Sequence, residues 1–363
     1  MNNIYNHLSN EFSESLDKQF NTKNTVYYKK SQVNGQYNQE DTIDSNISRQ
    51  KPFITRKFKT SGDPRAISYG PYRHGQAPNA KGPSKKQILE DLNIMKEHWK
   101  LIRVYGSDAD SQKILQVIVK YDLPIKVLLG VWLENEIDQP QRKALNQNQV
   151  KKATEMANRY DDLVAAVSVG NETQVFWSYH QMAAENLIKY IRKVRNNTTV
   201  PVTTADDYNF WNKAESKSIA AEIDFIVAHI YPLWNGKPLE SAIDWTDHTF
   251  HKSVENMHPG KQIVIGEIGW ATNYNQDKKG PGQQGSLINA EVSVRAQESF
   301  LIKLDQWIEK TNLVTFLFEA FDEPWKGGGN STSPKEVEKN WGVFYENRKP
   351  KESFLNYLKY KNN

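Results

Sequence analysis

Residues 263–270, IVIGEIGW, place a carboxylate directly after a short apolar run of the kind found in β-strands. Glu267 stands between two glycines and is followed by a tryptophan. A carboxylate at the end of a buried strand is rare unless it is paired or used, because burying its charge is costly. Residues 165–172, AAVSVGNE, repeat this design and end on Glu172. If both strands are parallel members of one barrel, the two carboxylates point into the same mouth.

Strand-like apolar runs alternate with amphipathic helical stretches from about residue 65 to the C-terminus. The sequence predicts strands at 66–70, 101–105, 125–129, 164–169, 200–204, 225–230, 263–270 and 314–319. A capping box formed by Ser84 and Gln87 predicts the start of the first intervening helix. Eight strands with helices between them predict a (β/α)8 TIM barrel of the α/β class. An open doubly wound sheet is the alternative, but no glycine-rich phosphate loop follows the first strand.

Residues 1–60 differ from the remainder in composition and are rich in Asn, Gln, Ser and Lys. They hold nine Lys and Arg against six Asp and Glu, so most of the formal net charge of +4 lies there. Apolar residues recur every four positions and predict one amphipathic helix, followed by an extended wrap or a tail; they are Ile4, Leu8, Phe12, Leu16 and Phe20. We therefore predict an N-terminal extension at 1–60, whose helix packs on the barrel away from its mouth. A catalytic domain is predicted at 61–363.

Composition excludes several kinds of site. The chain has no cysteine, so disulfides and thiolate metal sites are excluded. The nearly neutral body of the chain is not expected to hold nucleic acid, and no apolar run is long enough to span a membrane. No apolar signal-peptide core follows Met1. We expect a secreted, periplasmic or cell-surface monomer whose export signal is absent from this chain, with the cytoplasm as the alternative.

The C-terminal ends of the predicted strands carry acidic and aromatic side chains with a few cations and amides. Sugars suit such a surface, since their CH faces stack on aromatic rings while their hydroxyls bond carboxylates and amides. Any one of these rings or carboxylates has packing or ion pairing as its simpler explanation. The candidate substrate-binding residues are Asn171, Tyr69, Tyr72, Arg73, Tyr105, Trp132, Trp177, Asp207, Tyr231, Trp234, Trp270, Glu319, Glu323, Trp325 and Lys326. His180 and His229 lack the spacing of a metal site and are expected to be hydrogen-bonded polar groups; no metal or cofactor is expected.

Several motifs together resemble glycoside hydrolase family 17. They are VGNE at 169–172, GEIGW at 266–270, FEAFDEPWK at 318–326 and WGVF at 341–344, with ISYGPYR at 67–73 and IRVY at 102–105. The resemblance covers about residues 65–346 and implies a barrel of the retaining hydrolases with the acid/base on strand four and the nucleophile on strand seven. It also implies β-1,3-glucan substrates such as laminarin, less often mixed-linkage β-1,3-1,4-glucans, and in some members glucan transfer. Residues 1–60 have no counterpart in this pattern.

This resemblance implies the acid/base role for Glu172 and the nucleophile role for Glu267. Glu267 has to be ionised and needs donors, for which Tyr105 and Tyr231 are available, whereas Glu172 has to hold a proton. Asn171 is placed to bond the sugar 2-hydroxyl. The expected reaction is endo-acting hydrolysis of a β-glucan polysaccharide or oligosaccharide. Exo action, transglycosylation and mixed-linkage cleavage stay open, and a non-catalytic glucan-binding barrel is the alternative of a different class.

Overall fold

The residues described by the computed structural model, 55–60 and 62–362, form a closed barrel of eight parallel strands. The strands are β1 (Arg65–Ser68), β2 (Leu101–Val104), β3 (Lys126–Val131), β4 (Val164–Asn171), β5 (Val202–Asp207), β6 (Ile226–His229), β7 (Ile263–Ile268) and β8 (Thr315–Leu317). Each strand pairs with its neighbours in sequence, and β8 pairs with β1. The predicted (β/α)8 barrel is confirmed. The helix predicted near the N-terminus lies outside the described residues.

Helices connect the strands on the outside of the barrel. They are α1 (Lys85–Met95), α2 (Ala109–Lys120), α3 (Lys143–Arg159), α4 (Ala184–Asn196), α5 (Tyr208–Trp211), α6 (Ser216–Ala220), α7 (Ala242–His248), α8 (Gln284–Leu287), α9 (Val294–Thr311) and α10 (Glu352–Lys361). Short 3-10 turns occupy Pro140–Arg142 and Val337–Lys339, and a π-helix follows α7 at Thr249–Glu255. The predicted capping box starts α1, with Ser84 and Gln87 each accepting the other's backbone N–H. Among the described helices, none has the length and apolar character needed to cross a bilayer.

The apolar core has two layers because the strands are buried on both faces. The larger layer lies between strands and helices and includes Leu92, Ile118 and Ile191. The smaller layer contains side chains of the barrel strands and of residues next to them, such as Leu128 and Phe316. A (β/α)8 barrel is therefore a packed body rather than a pore, and its chemistry is confined to the C-terminal ends of the strands.

Residues 55–60, which the sequence analysis assigned to the N-terminal extension, pack against the barrel. Phe58 is 2% exposed and stacks on Phe225, with ring centroids 4.5 Å apart. The backbone N–H of Arg56 donates to Asp224 at 2.7 Å. Phe225 and Asp224 immediately precede β6, so these contacts lie at the N-terminal end of the barrel, opposite the mouth. This segment is part of the barrel's packing.

Candidate active site

A bulge precedes each of the two predicted catalytic glutamates. Between β6 and β7 the pairing steps from Ala228 opposite Ile265 to His229 opposite Glu267, which leaves Gly266 as the extra residue. A side-chain carbon at Gly266 would lie 2.2 Å from Val227 Cγ1, so any other residue would force its neighbours to shift. Bulges re-aim side chains near active sites. The strand-glycine-glutamate pattern in the sequence therefore marks where β7 turns its carboxylate into the mouth.

The pairing of β4 with β5 shifts in the same way between Ser168 and Asn171. Gly170 has a φ of 85°, which glycine adopts without strain. Glu172 has a φ of 49°, a left-handed conformation that costs a residue with a side chain about 1 kcal/mol. Such a conformation persists only where its surroundings hold it. This conformation brings the carboxyl group of Glu172 toward β6 and β7.

Glu267 is buried and surrounded by donors. Arg103 Nη1 donates to Oε1 at 2.6 Å, and the hydroxyls of Tyr105 and Tyr231 donate at 2.9 and 2.7 Å. Burial acts to raise the pKa of Glu267, but His229, Arg103 and the two hydroxyls outweigh it and leave the pKa below its usual value. Both tyrosines, expected from the sequence to be available as donors, contact the carboxylate. Glu267 is held as an anion.

His229 lies between the two carboxylates. Its Nδ1 is hydrogen-bonded to Glu172 Oε1 at 2.9 Å, and its Nε2 lies 3.5 Å from Glu267 Oε1. One oxygen of Glu172 and one of Glu267 are within 4.8 Å of each other. These three side chains have the donor set of a small metal site. However, the Arg103 guanidinium already lies against them, with Nη1 3.1 Å from His229 Nε2. The arrangement suits proton transfer and nucleophilic attack.

Asn171 is oriented by the same arginine. Arg103 Nη2 donates to Asn171 Oδ1 at 2.5 Å, so the amide NH2 group is directed away from the guanidinium. An NH2 group that is free of this contact is available as a donor to a ligand hydroxyl. Arg103 therefore joins Asn171 to Glu267.

The loop after β8 forms a second charged cluster. Lys326 Nζ lies 2.6 Å from Glu319 and 2.8 Å from Glu323. Burial, opposed by Lys326 and aided by the charge of Glu323, raises the pKa of Glu319 well above its usual value. Trp325 donates its indole N–H to Glu323 at 2.9 Å. Since a side-chain carbon at Gly70 would come within 2.1 Å of Glu323, that glycine makes room for the cluster.

Three predicted binding residues are engaged elsewhere in the fold. The Tyr69 hydroxyl donates to Asp91 at 2.9 Å, and Arg73 pairs with the same carboxylate at 2.7 Å. Trp270 is 1% exposed and donates its indole N–H to the backbone oxygen of Glu291. Tyr69 and Trp270 have no exposed ring face because other residues pack over them, and Arg73 is ion-paired with Asp91. We leave these three out of the proposed binding surface.

The other predicted residues occupy different depths. Trp132, Trp177 and Trp234 are half-buried at strand ends, and Trp132 contacts His180 with ring centroids 4.4 Å apart. Tyr72 is nearly buried and packs edge-on to Trp325. Asp207 caps α5 by accepting the N–H of Asn209, and burial, the largest of several effects, raises the pKa of Asp207 to about 7. The rings that retain exposure come from the loops after β3, β4, β6 and β8.

The sequence did not identify Arg103 and Glu338 as residues of this site, and it indicated His229 only as a hydrogen-bonded polar group, which it is. Arg103 is a charged residue inside the apolar run of β2, and His229 ends the apolar run of β6; both positions are signals of a polar barrel interior. Glu338 stands three residues before the WGVF motif. Burial, together with the charges of Glu172 and Glu267 and against that of Lys326, raises the pKa of Glu338 to about 7. The charges that act on Glu338 come from residues distant in the sequence, so no local pattern identifies it.

A closed eight-stranded barrel with two neighbouring carboxylates at the C-terminal ends of its strands is the arrangement expected of a glycoside hydrolase. The chain belongs to the BtgE/BtgC glycoside hydrolase domain family, whose profile matches residues 66–342. The match includes both glutamates, Arg103 and the loop after β8.

Curated relatives carry related names. A protein of Aspergillus niger called putative glucan endo-1,3-beta-glucosidase btgC is 30% identical over 276 residues, covering 72% of this chain and 38% of the relative. The glucan endo-1,3-beta-glucosidase btgC of Emericella nidulans is 24% identical over 277 residues, covering 72% of this chain and 40% of the relative. The chain thus matches about two fifths of the length of these relatives.

Solved structures share the fold. An endo-laminarinase from Formosa Hel1_33_131 superposes with a TM-score of 0.68 at 20% identity, covering 83% of this chain and 88% of the other. A Rhizomucor miehei beta-1,3-glucanosyltransferase of glycoside hydrolase family 17 superposes with a TM-score of 0.64 at 21% identity, covering 79% of this chain and 95% of the other. At this level of identity the likeness concerns the barrel architecture.

Proposed function

We propose that this chain is a retaining, endo-acting hydrolase of β-1,3-glucan of the laminarin type. The observation that carries the mechanism is the spacing of Glu172 and Glu267, whose nearest oxygens lie within 4.8 Å. Retaining enzymes hold their carboxyl groups about 5–5.5 Å apart, whereas inverting enzymes leave about 6.5–9.5 Å for a water molecule. The short spacing favours direct attack by one carboxylate.

In the first step Glu267 attacks the anomeric carbon while Glu172 gives its proton to the glycosidic oxygen. The bond from carbon to the leaving sugar breaks, and an ester to Glu267 forms. The lowered pKa of Glu267 keeps the attacking group ionised. The amide of Asn171 is the candidate donor to the sugar 2-hydroxyl.

In the second step Glu172, now a carboxylate, takes a proton from water. The water oxygen bonds to the anomeric carbon, the ester to Glu267 breaks, and the configuration of the substrate is restored. The hydrogen bond from His229 to Glu172 keeps the carboxyl group of Glu172 facing the reaction centre. A sugar hydroxyl in place of water would give transfer instead.

The β-1,3 linkage of the proposed substrate is inferred from related proteins. The family assignment, the names of the curated relatives and the resemblance to glycoside hydrolase family 17 support a β-1,3-glucan substrate. The half-buried rings on several strand-end loops support a polymer, since they lie on more loops than one sugar contacts. For the rest of the surface we propose binding by Trp132, Trp177, Trp234, Trp325 and Lys326, which retain exposure. Tyr72, Asp207, Glu319 and Glu323 are buried, and we propose that they support these residues from beneath. We also propose that the enzyme acts outside the cytoplasm, where such a polymer is accessible.

The test is a product profile on laminarin, cellulose and mixed-linkage glucan. We expect short oligosaccharides from laminarin in the first minutes. Glucose alone would show exo action, and products longer than the substrate would show transfer. Cleavage of cellulose with laminarin left intact would contradict the proposal, and sugar binding without turnover would make the chain a glucan-binding barrel.

A further inference from the structure

The end of β5 holds the turn that carries Glu172. Glu172 and Gly170 both have positive φ angles, so this turn needs support. The N–H of Glu172 donates to the carbonyl of Ala205 at 2.9 Å, and the N–H of Gln174 donates to Asp206 Oδ2 at 2.9 Å. The first bond joins backbone to backbone and does not depend on the side chain at 205. The second exists only because residue 206 has an acceptor.

Asp206 is buried without a compensating cation. It is 1% exposed, and its second oxygen accepts the N–H of Asp207 at 2.9 Å, which fixes the carboxylate's orientation. It forms no ion pair with any side chain in residues 55–60 or 62–362. Burial above all, and then the charge of Glu172, raise the pKa of Asp206 well above its usual value. A buried carboxyl without a cation is a poor source of stability.

We propose that Asp206 is a positioning residue for the acid/base: it clamps the turn at residues 172–174 so that the Glu172 carboxyl is aimed at the glycosidic oxygen. The inference rests on the proposed function and adds a residue to it. Asp206 itself is buried beneath the turn and touches no substrate. Its effect passes through the backbone of Gln174.

The clamp acts on one catalytic group only. Glu267 is held by Arg103, Tyr105 and Tyr231, none of which bonds to Asp206. Loss of the clamp therefore impairs proton donation to the leaving oxygen and spares attack on the anomeric carbon. A substrate whose leaving group departs as a stable anion needs no proton at that step and is insensitive to the loss.

The experiment compares two reactions of Asp206→Ala, whose side chain has no acceptor for the N–H of Gln174. One is kcat/KM on laminarin; the other is the rate at which a dinitrophenyl 2-deoxy-2-fluoro laminaribioside labels Glu267, followed by intact-protein mass. We expect a loss of about tenfold or more on laminarin, because a small misplacement of a catalytic group has effects of this order. Labelling is expected to stay within about threefold of wild type. Equal losses in both reactions, or full activity on laminarin, would overturn the inference.

Asp224→Ala is the matched control. Asp224 is equally buried and accepts the N–H groups of Arg56 and Val202, at the opposite end of the barrel. Its replacement is expected to lower thermal stability and to leave the ratio of the two rates unchanged. Asp206→Asn, which keeps one acceptor oxygen, should lose less laminarin activity than Asp206→Ala.

The remaining outcomes are distinct. If neither Asp206 variant folds, the residue has a role in stability and the inference fails. If the wild-type chain cleaves no glucan and is not labelled by the fluorinated laminaribioside, the proposed function fails instead. If the wild-type chain is active and both Asp206 variants keep its ratio of the two rates, the clamp is refuted and the proposed function stands.

Discussion

At the scale of single residues, the two glutamates are set apart by their partners. Glu267 accepts from an arginine and two tyrosines in a buried position, and its pKa is lowered despite that burial. Glu172 is more exposed, with 28% of its side chain accessible, and bonds to His229. An anion that is held by donors suits attack, and an accessible carboxyl suits proton exchange with substrate and water.

Exchanging each carboxyl for an amide separates the two roles. Glu172→Gln should reduce kcat/KM on laminarin by about 10²–10⁴-fold, while a dinitrophenyl glycoside still forms the covalent intermediate and azide accelerates its breakdown. Glu267→Gln should form no intermediate. Glu309→Gln, at an exposed position on α9, serves as control. Equal losses for both substrates in Glu172→Gln would contradict the assignment.

The acid limb of the pH profile should depend on the hydroxyl of Tyr231. This hydroxyl stabilises the Glu267 anion, so its removal in Tyr231→Phe raises the pKa of Glu267. Because attack requires the anion, activity is lost as pH falls through that pKa, and the limb moves to higher pH. The measurement is kcat/KM against pH, with Tyr208→Phe, which removes a hydroxyl bound to Asn235, as control. A limb that stays in place would refute this account of the ionisation of Glu267.

The residue types at strand ends were predictable to a limited extent. Glu172 and Glu267 follow from a local pattern, since glycine beside a strand-ending carboxylate marks a bulge. Tyr69 and Trp270 have the same local appearance as binding residues, yet Asp91 and the backbone of Glu291 occupy their polar atoms. Those partners come from distant parts of the chain, and no local sequence pattern identifies them.

At the scale of elements, the bulge in β7 is the device that sets the nucleophile. Gly266→Ala should lower both stability and activity, because its added carbon meets Val227 at 2.2 Å; overpacking of this kind costs about 1–3 kcal/mol. The double variant Gly266→Ala, Val227→Ala removes the clashing methyl group and should recover part of the activity. Denaturant unfolding and laminarin turnover measure the two effects. No recovery in the double variant would place the cause elsewhere.

The segment before β1 closes the end of the barrel opposite the mouth. Phe58→Ala should cost about 3–5 kcal/mol of unfolding free energy, since the ring is buried and stacked on Phe225. Turnover per folded molecule should be unchanged, because the contact lies far from the strand ends that hold the glutamates. Lys57→Ala, at the exposed neighbouring position, is the control. A loss below about 1 kcal/mol would show that this segment adds little to the barrel.

At the scale of the whole molecule, the barrel separates stability from chemistry. Apolar side chains fill its interior toward the N-terminal ends of the strands, while Arg103, His229 and Glu267 lie toward the C-terminal ends. The sequence predicted the closed barrel from eight regularly spaced apolar runs, which is a property of the chain as a whole. It did not predict how bulges and a shared arginine couple strands β2, β4, β6 and β7, because that coupling depends on register.

The central claim is that Glu267 forms a covalent intermediate that Glu172 helps to resolve. The most direct measurement is the anomeric configuration of the first reducing ends released from laminarin, recorded by proton NMR before mutarotation occurs. The spacing of the two carboxylates predicts that β-anomers appear first and that α-anomers accumulate later by mutarotation. Release of α-anomers first would contradict the account, because it would require water to attack in a single displacement.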